Sequence, residues 1–242
     1  MARRNYYLLS SLPVLGELGS EPPLTLSDML EAVSQADGPQ EFVAAILLGD
    51  DLLQRQAFLA GEIEQVAPAV LTAAQIRNEE PMPEYLVVGQ ERSERATAAD
   101  ILWAAYFHYA VSVAHRRAGK FLAAWVNYEV SLRNALASAR AKALGLGAED
   151  YLVARELADG EEDFSALIAE WSAAVDPLEG LRIIDKARWS WLIEHDGWFT
   201  FADDEVASYA AKAMLLTRWN RMKSESQNRL AVSSSTGAAR KG

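Results

Sequence analysis

Glu129, Arg133 and Arg140 are the residues of this chain whose types and positions could most readily do chemistry. They lie within residues 125–145, a segment whose composition predicts a long helix. At about 100° per residue, the apolar side chains define one broad face, and the three charges fall in the middle of it. That face consists of Leu122, Trp125, Val126, Val130, Leu132, Leu136 and Leu144. Charges in this position form either a buried structural network or the polar centre of a functional site.

The spacing of Glu129 and Arg133 allows an ion pair along the helix. Glutamate comes first and arginine four residues later, which is the favourable order. Two buried charges lose hydration worth several kcal/mol each, so a buried pair must join further hydrogen bonds. A glutamate that moves protons needs a partner acid or nucleophile, and none lies close to Glu129 in the sequence. We therefore favour a structural network, with a catalytic glutamate as the alternative.

Two later arginines also lie among apolar residues of predicted helices. Arg218 is surrounded by apolar residues on one face of the last helix, and Arg188 lies in a helix that is apolar on more than one side. Arginine brings bidentate hydrogen bonds and a flat, stackable group into such places. We predict that both arginines join Glu129 and Asp185 in one network across helices. The predicted structural polar core comprises Glu129, Arg133, Arg140, Asp185, Arg188 and Arg218.

The sequence offers little support for a metal, cofactor or nucleotide site. His108, His115 and His195 have no carboxylate at a standard ligand spacing, so we predict structural or surface roles for them. The calcium loop, the phosphate loop and the dinucleotide glycine fingerprint do not occur in the sequence. We therefore predict no catalytic, cofactor-binding or metal-binding residue and no cofactor.

Composition excludes several classes of protein. Hydrophobic residues make up 50% and charged residues 24% of the 242, as in an ordinary globular protein. A formal charge of −11 opposes binding to nucleic acid. The absence of cysteine excludes disulfides and a cysteine nucleophile, and is compatible with a reducing cytoplasm. Acidic clusters at Asp50 with Asp51, at 161–163 and at 203–205 are typical of solvated faces and helix starts.

The sequence predicts neither a cleaved leader nor a membrane span. Residues 1–19 are basic and then apolar, but Pro13 and Gly16 interrupt the apolar run, so we expect mature protein. The longest apolar stretch, residues 101–114, is shorter than the ~18 residues that cross a bilayer and contains His108.

Helical periodicity dominates the chain and predicts an all-α bundle of about seven or eight helices. The expected longer helices are 26–36, 40–59, 98–118, 120–144, 164–175, 181–194 and 204–222. Ser27 and Asp203 are candidate N-caps, Pro39 a candidate first residue, and Gly145 a candidate left-handed residue after a helix.

The domain prediction is one helical domain over residues 1–223, with a possible soft division near 78–97. Residues 224–242 are polar, small and without apolar period. This composition predicts a disordered tail.

Five stretches carry a resemblance to a known family. They are NYYLLSSLP (5–13), ILLGDDLL (46–53), WVNYEVSLRNALASARAKALG (125–145), PLEGLRIIDKARWSWL (177–192) and FTFADDEVASYAAKAMLLTRW (199–219). In order and spacing they resemble a bacterial family of unknown function whose members are typically encoded among the subunits of V-type (A/V-type) ATPases. The resemblance covers residues 2–222.

The resemblance implies a protein like the central-stalk C subunit of these ATPases, which is also called the d subunit. The family is thought to stand in for that helical protein, which rests on the membrane ring and receives the rotor shaft without hydrolysing anything. We therefore expect a non-enzymatic subunit or accessory protein of ion (proton) transport. Its expected partners are other ATPase subunits, the shaft and the ring, and its expected location is cytoplasmic, peripheral on the inner membrane through the complex. The alternative is a helical enzyme with an active site around Glu129, Arg133 and the late arginines.

Overall fold

The all-α prediction is confirmed by a computed structural model. It describes residues 5–87, 97–160, 162–197 and 199–239, with only the backbone for 225–239. These ranges contain α-helices and 3-10 turns and no strand. The α-helices are α1 (Tyr6–Ser11), α2 (Leu26–Gln35), α3 (Gln40–Leu59), α4 (Ala73–Ile76), α5 (Ala98–Arg117), α6 (Lys120–Ala143), α7 (Ser165–Ser172), α8 (Pro177–Glu194) and α9 (Asp203–Ala239). The 3-10 turns are Glu84–Leu86, Ala148–Tyr151 and Arg155–Leu157.

Side-chain caps set several helix starts. Thr25, and not the predicted Ser27, caps α2, because its Oγ1 accepts the N–H of Asp28 at 3.0 Å. Asp176 caps α8 through the N–H of Glu179, and Pro177 takes the first helical position, where its missing N–H costs nothing. This cap starts α8 four residues before the predicted Leu181.

Gly145 ends α6 as predicted. Its φ of +68° lies in the left-handed region. The N–H of Leu146 reaches back to the carbonyl of Ala141 at 2.8 Å, and that of Gly145 to Lys142 at 3.2 Å. These two bonds form a Schellman motif, which satisfies the last carbonyls of the helix. The motif also turns the chain toward the 3-10 turn at Ala148–Tyr151.

Helix α3 lies at the centre of the bundle. It packs against α9, α5 and α2; α6 packs against α5 and α9, and α8 against α7 and α9. One buried apolar cluster extends from Leu8 to Leu215. The possible soft division at 78–97 falls partly outside the described residues, but helices from both sides of it contribute to this core.

Asp51 fastens the segment after α3 to the bundle. Its carboxylate is fully buried and accepts the N–H groups of Ala69, Val70 and Leu71 at 2.7 to 2.9 Å. Burial raises the pKa of Asp51 to about 6, although the three N–H donors lower it. Asp50 is also buried, so the expectation that this acidic pair lies on a solvated face is wrong.

The last helix is longer than expected. The backbone of α9 is helical to Ala239, past the predicted end at Met222. Most of the predicted tail, 224–242, lies outside the residues whose side chains are described, so its disorder stays a prediction. No helix in the described ranges is long and apolar enough to cross a membrane.

Gly119 provides a steric test of how the turn between α5 and α6 packs on α3. A Cβ at this position would overlap the Phe42 ring, 2.8 Å from its Cε2, although the backbone φ of −79° suits any residue. We expect Gly119→Ala to destabilise the fold by ~1 to 3 kcal/mol through overpacking. Gly147→Ala is the matched control, because no atom lies within 4 Å of its added Cβ. Urea denaturation measures the free energy of unfolding of both variants. If Gly119→Ala is as stable as Gly147→Ala, the packing described is contradicted.

Candidate functional site: an arginine-rich cavity

A cavity of about 470 Å³ lies between α3, α5, α6, α8 and α9. Its charged lining residues are Asp50, Asp100, Glu129, Arg133, Arg140, Arg188 and Arg218. Its aromatic and apolar walls include Trp103, Tyr106, Phe107, Trp125 and Met214. Five of the six predicted polar-core residues therefore line one space, and the sixth, Asp185, lies beside it. This volume is typical of small-molecule sites.

Glu129 and Arg188 form a short ion pair that joins two helices beside the cavity. Arg188 Nε donates to Glu129 Oε1 at 2.6 Å and Nη2 to Oε2 at 2.8 Å, a bidentate arrangement between α6 and α8. Both side chains are nearly buried, with exposed fractions of 12% for Arg188 and 17% for Glu129. Bidentate pairing fixes the two planes as well as their distance. The pair therefore sets how α6 and α8 face each other.

Asp185 extends this pair to α9. Its Oδ1 accepts from Arg188 Nη1 at 3.0 Å and lies 3.3 Å from Arg218 Nη1. The side chain has no exposed surface, and its Oδ2 is buried without a hydrogen-bond partner among the described residues. The predicted network of Glu129, Asp185, Arg188 and Arg218 is thus brought together by direct contacts.

The two arginines of this network have opposite pKa shifts. Burial lowers the pKa of Arg188, but the adjacent carboxylates of Glu129 and Asp185 outweigh it and raise the pKa above its ordinary value. For Arg218, burial dominates and lowers the pKa, and repulsion from Arg188 acts in the same direction. Arg188 is therefore fully compensated, whereas Arg218 keeps part of its desolvation cost.

Arg133 and Arg140 do not join the central network directly. Arg133 pairs with Asp100 of α5 at 3.4 Å and lies over the Trp103 ring, 4.7 Å from its centroid. The possible pair between Glu129 and Arg133 does not form; both oxygens of Glu129 accept hydrogen bonds from Arg188 instead. Arg140 is exposed, and its guanidinium lies 5.1 Å from the centre of Trp171.

Sequence reasoning missed Asp50, Asp100 and Arg221. Arg221 Nη2 donates to both oxygens of Asp50, at 2.6 and 2.9 Å, and so joins α3 to α9. Gln54 also donates to Asp50 at 3.0 Å. A signal existed for Asp50, because ILLGDDLL places the charge within an apolar run. No comparable signal marks Asp100, which lies in the first turn of α5.

This arrangement is better suited to holding helices and binding an anion than to moving protons. Each carboxylate that lines the cavity has an arginine partner: Asp50 with Arg221, Asp100 with Arg133, and Glu129 with Arg188. A general base needs an oxygen within reach of the substrate proton, and both oxygens of Glu129 are occupied. Burial, with the charge of Glu129, raises the pKa of Tyr106, so this hydroxyl stays protonated.

The described residues contain no group of three or more histidine or acidic side chains that could hold a metal ion. His108 lies 3.0 Å from Glu156 at the surface, and His195 stacks on Trp191 with ring centres 3.9 Å apart. These contacts agree with the surface and structural roles predicted for the two histidines.

The exposed lining residues of the cavity are partly apolar. Leu144, Leu146 and Tyr151 are exposed by 73%, 48% and 41%, and the polar Gln56 and Arg140 are exposed as well. The three apolar residues lie between the C-terminal end of α6 and the end of the next 3-10 turn. The cavity therefore extends from buried charges to a partly apolar opening at the surface.

The Glu129–Arg188 pair gives a stability prediction. Glu129→Ala leaves the nearly buried Arg188 with Asp185 alone, and we expect a loss of ~3 kcal/mol or more. Glu129→Gln should cost less, because the amide keeps the shape and one acceptor. The control is Glu41→Ala, whose exposed pair with Arg117 should contribute less than ~1 kcal/mol. Chemical denaturation checks the series, and a Glu129→Ala variant as stable as the wild type would contradict a structural role.

Comparison with known proteins gives one match. The family described as “Protein of unknown function (DUF2764)” matches residues 58–230, which is well over half of the chain. The matched range contains α4 to α8 and the described side chains of α9, and with them the complete Glu129–Arg188–Asp185–Arg218 network. No curated protein and no solved structure is significantly similar to the chain. The chain therefore belongs to this family of proteins of unknown function.

Proposed function

We propose that this protein is a non-enzymatic subunit or accessory protein of a V-type (A/V-type) ATPase, in the manner of the central-stalk C subunit. The resemblance of the five sequence stretches supports the choice of complex. The observation that most supports a protein–protein role is an aromatic patch formed by the exposed rings of Tyr6, Tyr7 and Phe199 and by the partly buried ring of Phe201. Tyr7 is 81% and Phe199 73% exposed.

The aromatic patch brings the start of α1 together with the loop that precedes α9. The ring of Tyr6 lies 5.5 Å from that of Tyr7 and 5.1 Å from that of Phe201, and Phe199 is 6.4 Å from Phe201. Asn5 donates to Asp203 at 2.8 Å and holds the start of α1 against the start of α9. Aromatic side chains are enriched at binding surfaces because they bury large areas at a small entropy cost.

The loop that carries the two phenylalanines is strained. Phe199 and Phe201 have φ of +57° and +52°, which bulky residues rarely adopt and which cost of order 1 to 3 kcal/mol each. Glu205 holds the loop, since its carboxylate accepts the N–H of Phe201 at 2.6 Å and that of Phe199 at 3.1 Å. A loop held in this way favours a binding role, because strain of this kind concentrates at functional sites.

The body of the protein also suits a coupling component. Buried ion pairs join α6, α8 and α9, and a further pair joins α3 and α9. Such ties restrict sliding between helices, which supports a part that transmits force between a shaft and a ring. On this proposal the protein lies on the cytoplasmic side of the inner membrane, attached through the complex.

The alternative, a helical enzyme, draws its support from the cavity. In an active site around Glu129 and Arg133, a proton taken up by Glu129 would remove the charge that compensates Arg188. That would leave a nearly buried guanidinium with one fewer carboxylate charge beside it, at a cost of several kcal/mol. We therefore prefer the non-enzymatic function.

A pull-down tests the proposed function. The tagged full chain, expressed in its native host and captured with its partners, should co-purify V-type ATPase subunits identified by mass spectrometry. The variant Tyr7→Ser with Phe199→Asn removes two exposed rings, and asparagine tolerates the left-handed backbone. We expect it to recover at least about fivefold less of those subunits, as for lost interface anchors.

The control for this pull-down is Val175→Ser, which removes an apolar side chain that is 87% exposed and outside the aromatic patch. It should recover the subunits as the wild type does. ATPase subunits that are no more abundant than with an unrelated bait would contradict the proposed function. Equal recovery with both variants would show that the aromatic patch is not the contact surface.

A further inference from the structure

The cavity carries more positive than negative charge. Four arginines and three carboxylates line it. Asp185 and Arg221, which pair with these groups, raise the totals to five and four. The excess is one positive charge, in a protein whose formal net charge is −11. A local excess of positive charge in an acidic protein favours the binding of an anion at this place.

Three of the four lining arginines have donors to spare. A guanidinium carries five N–H groups. All three nitrogens of Arg188 are engaged by Glu129 and Asp185. Among the described residues, Arg218 pairs with one carboxylate at 3.3 Å, and Arg133 with one at 3.4 Å. Within the described part of the chain, Arg140 pairs with no carboxylate and contacts the Trp171 ring.

The under-compensated arginines also repel one another. Burial lowers the pKa of Arg133, and the charge of Arg140 lowers it further. Burial also lowers the pKa of Arg218, and there the added repulsion comes from the paired Arg188. An anion placed in the cavity would reduce this repulsion and supply acceptors to the spare N–H groups.

The walls indicate the rest of the ligand. The lining residues contributed by α6 and its C-terminal end run from Trp125 to Leu144. At 1.5 Å per residue, this part of the chain spans roughly 28 Å. Trp103, Tyr106, Phe107 and Met214 give it an apolar surface. The partly apolar opening at Leu144, Leu146 and Tyr151 provides a route of entry.

We propose that the cavity is a binding site for a small organic monocarboxylate, whose carboxylate contacts Arg218 and the α6 arginines and whose apolar body lies against the aromatic walls. A monoanion balances the excess of one positive charge, whereas a dianion such as a phosphate monoester would leave one negative charge in excess. The guanidinium plane also matches a planar carboxylate in bidentate geometry. This binding site does not depend on the proposed ATPase role.

Calorimetric titration of the full chain with decanoate and with phenylacetate tests the site. Decanol and phenylacetamide are the uncharged counterparts, and decyl phosphate is the dianion. At least one of the two carboxylates should bind with 1:1 stoichiometry, at least about tenfold more tightly than its uncharged counterpart and than decyl phosphate. No binding of either carboxylate below about 1 mM, or equal binding of the uncharged compounds, would overturn the proposal.

Variants locate the binding. Arg140→Met keeps the length of the side chain on an exposed residue, and Arg218→Met removes the buried donor; each should weaken binding of the carboxylate about tenfold or more. Arg116→Met is the control, because Arg116 is exposed outside the cavity and bonds only to Ser112 among the described residues. If Arg218→Met fails to fold, the affinity of Arg140→Met alone tests whether the carboxylate binds in this cavity. Wild-type affinity in Arg140→Met would overturn the assignment to this cavity.

The titration and the pull-down can fail separately. If the protein binds a carboxylate but captures none of the ATPase subunits, the ligand site is supported and the proposed function is contradicted. If it captures the subunits but binds neither carboxylate, the proposed function is supported and the ligand site is contradicted.

Discussion

The buried carboxylate of Asp185 is the constraint on which the arrangement of the late helices depends. It has no exposed surface, and its Oδ1 lies within reach of Arg188 on its own helix and Arg218 on α9. Arg188 in turn holds Glu129 of α6 through two bonds. A charge that leaves water costs several kcal/mol unless it is paired, so α6, α8 and α9 must pack in the register that keeps these contacts. The cavity lies along the same residues.

Most of the fold could be predicted because long amphipathic helices carry their own signals. The bounds of α3 and the start of α6 follow from periodicity, and Gly145 marks the end of α6. The short helix α1 was not predicted, because its six residues are too few for a periodic pattern. The extension of α8 to Pro177 depends on the Asp176 cap, a local feature that apolar periodicity does not report.

The sequence predicted several of the charged residues in the candidate site, but not which of them form ion pairs with each other. Charges within apolar faces identified Glu129, Arg188 and Arg218, since burial of a charge forces a partner nearby. Which partner each takes depends on how the helices cross. Arg133 therefore pairs with Asp100, and Asp50 with Arg221, across sequence separations of 33 and 171 residues. The strained aromatic loop was missed for a different reason: positive φ at Phe199 and Phe201 is unusual for bulky residues, and no glycine or asparagine marks it, although the hydrogen bonds to Glu205 that accompany it are local.

A double-mutant cycle between Glu129 and Arg188 tests most directly whether the paired charges organise the fold. The free energies of unfolding of the wild type, Glu129→Ala, Arg188→Ala and the double variant give the coupling energy between the two side chains. A nearly buried bidentate pair should couple by ~2 kcal/mol or more, with the double variant less destabilised than the sum of the single variants. Additive effects, within ~0.5 kcal/mol, would contradict the account.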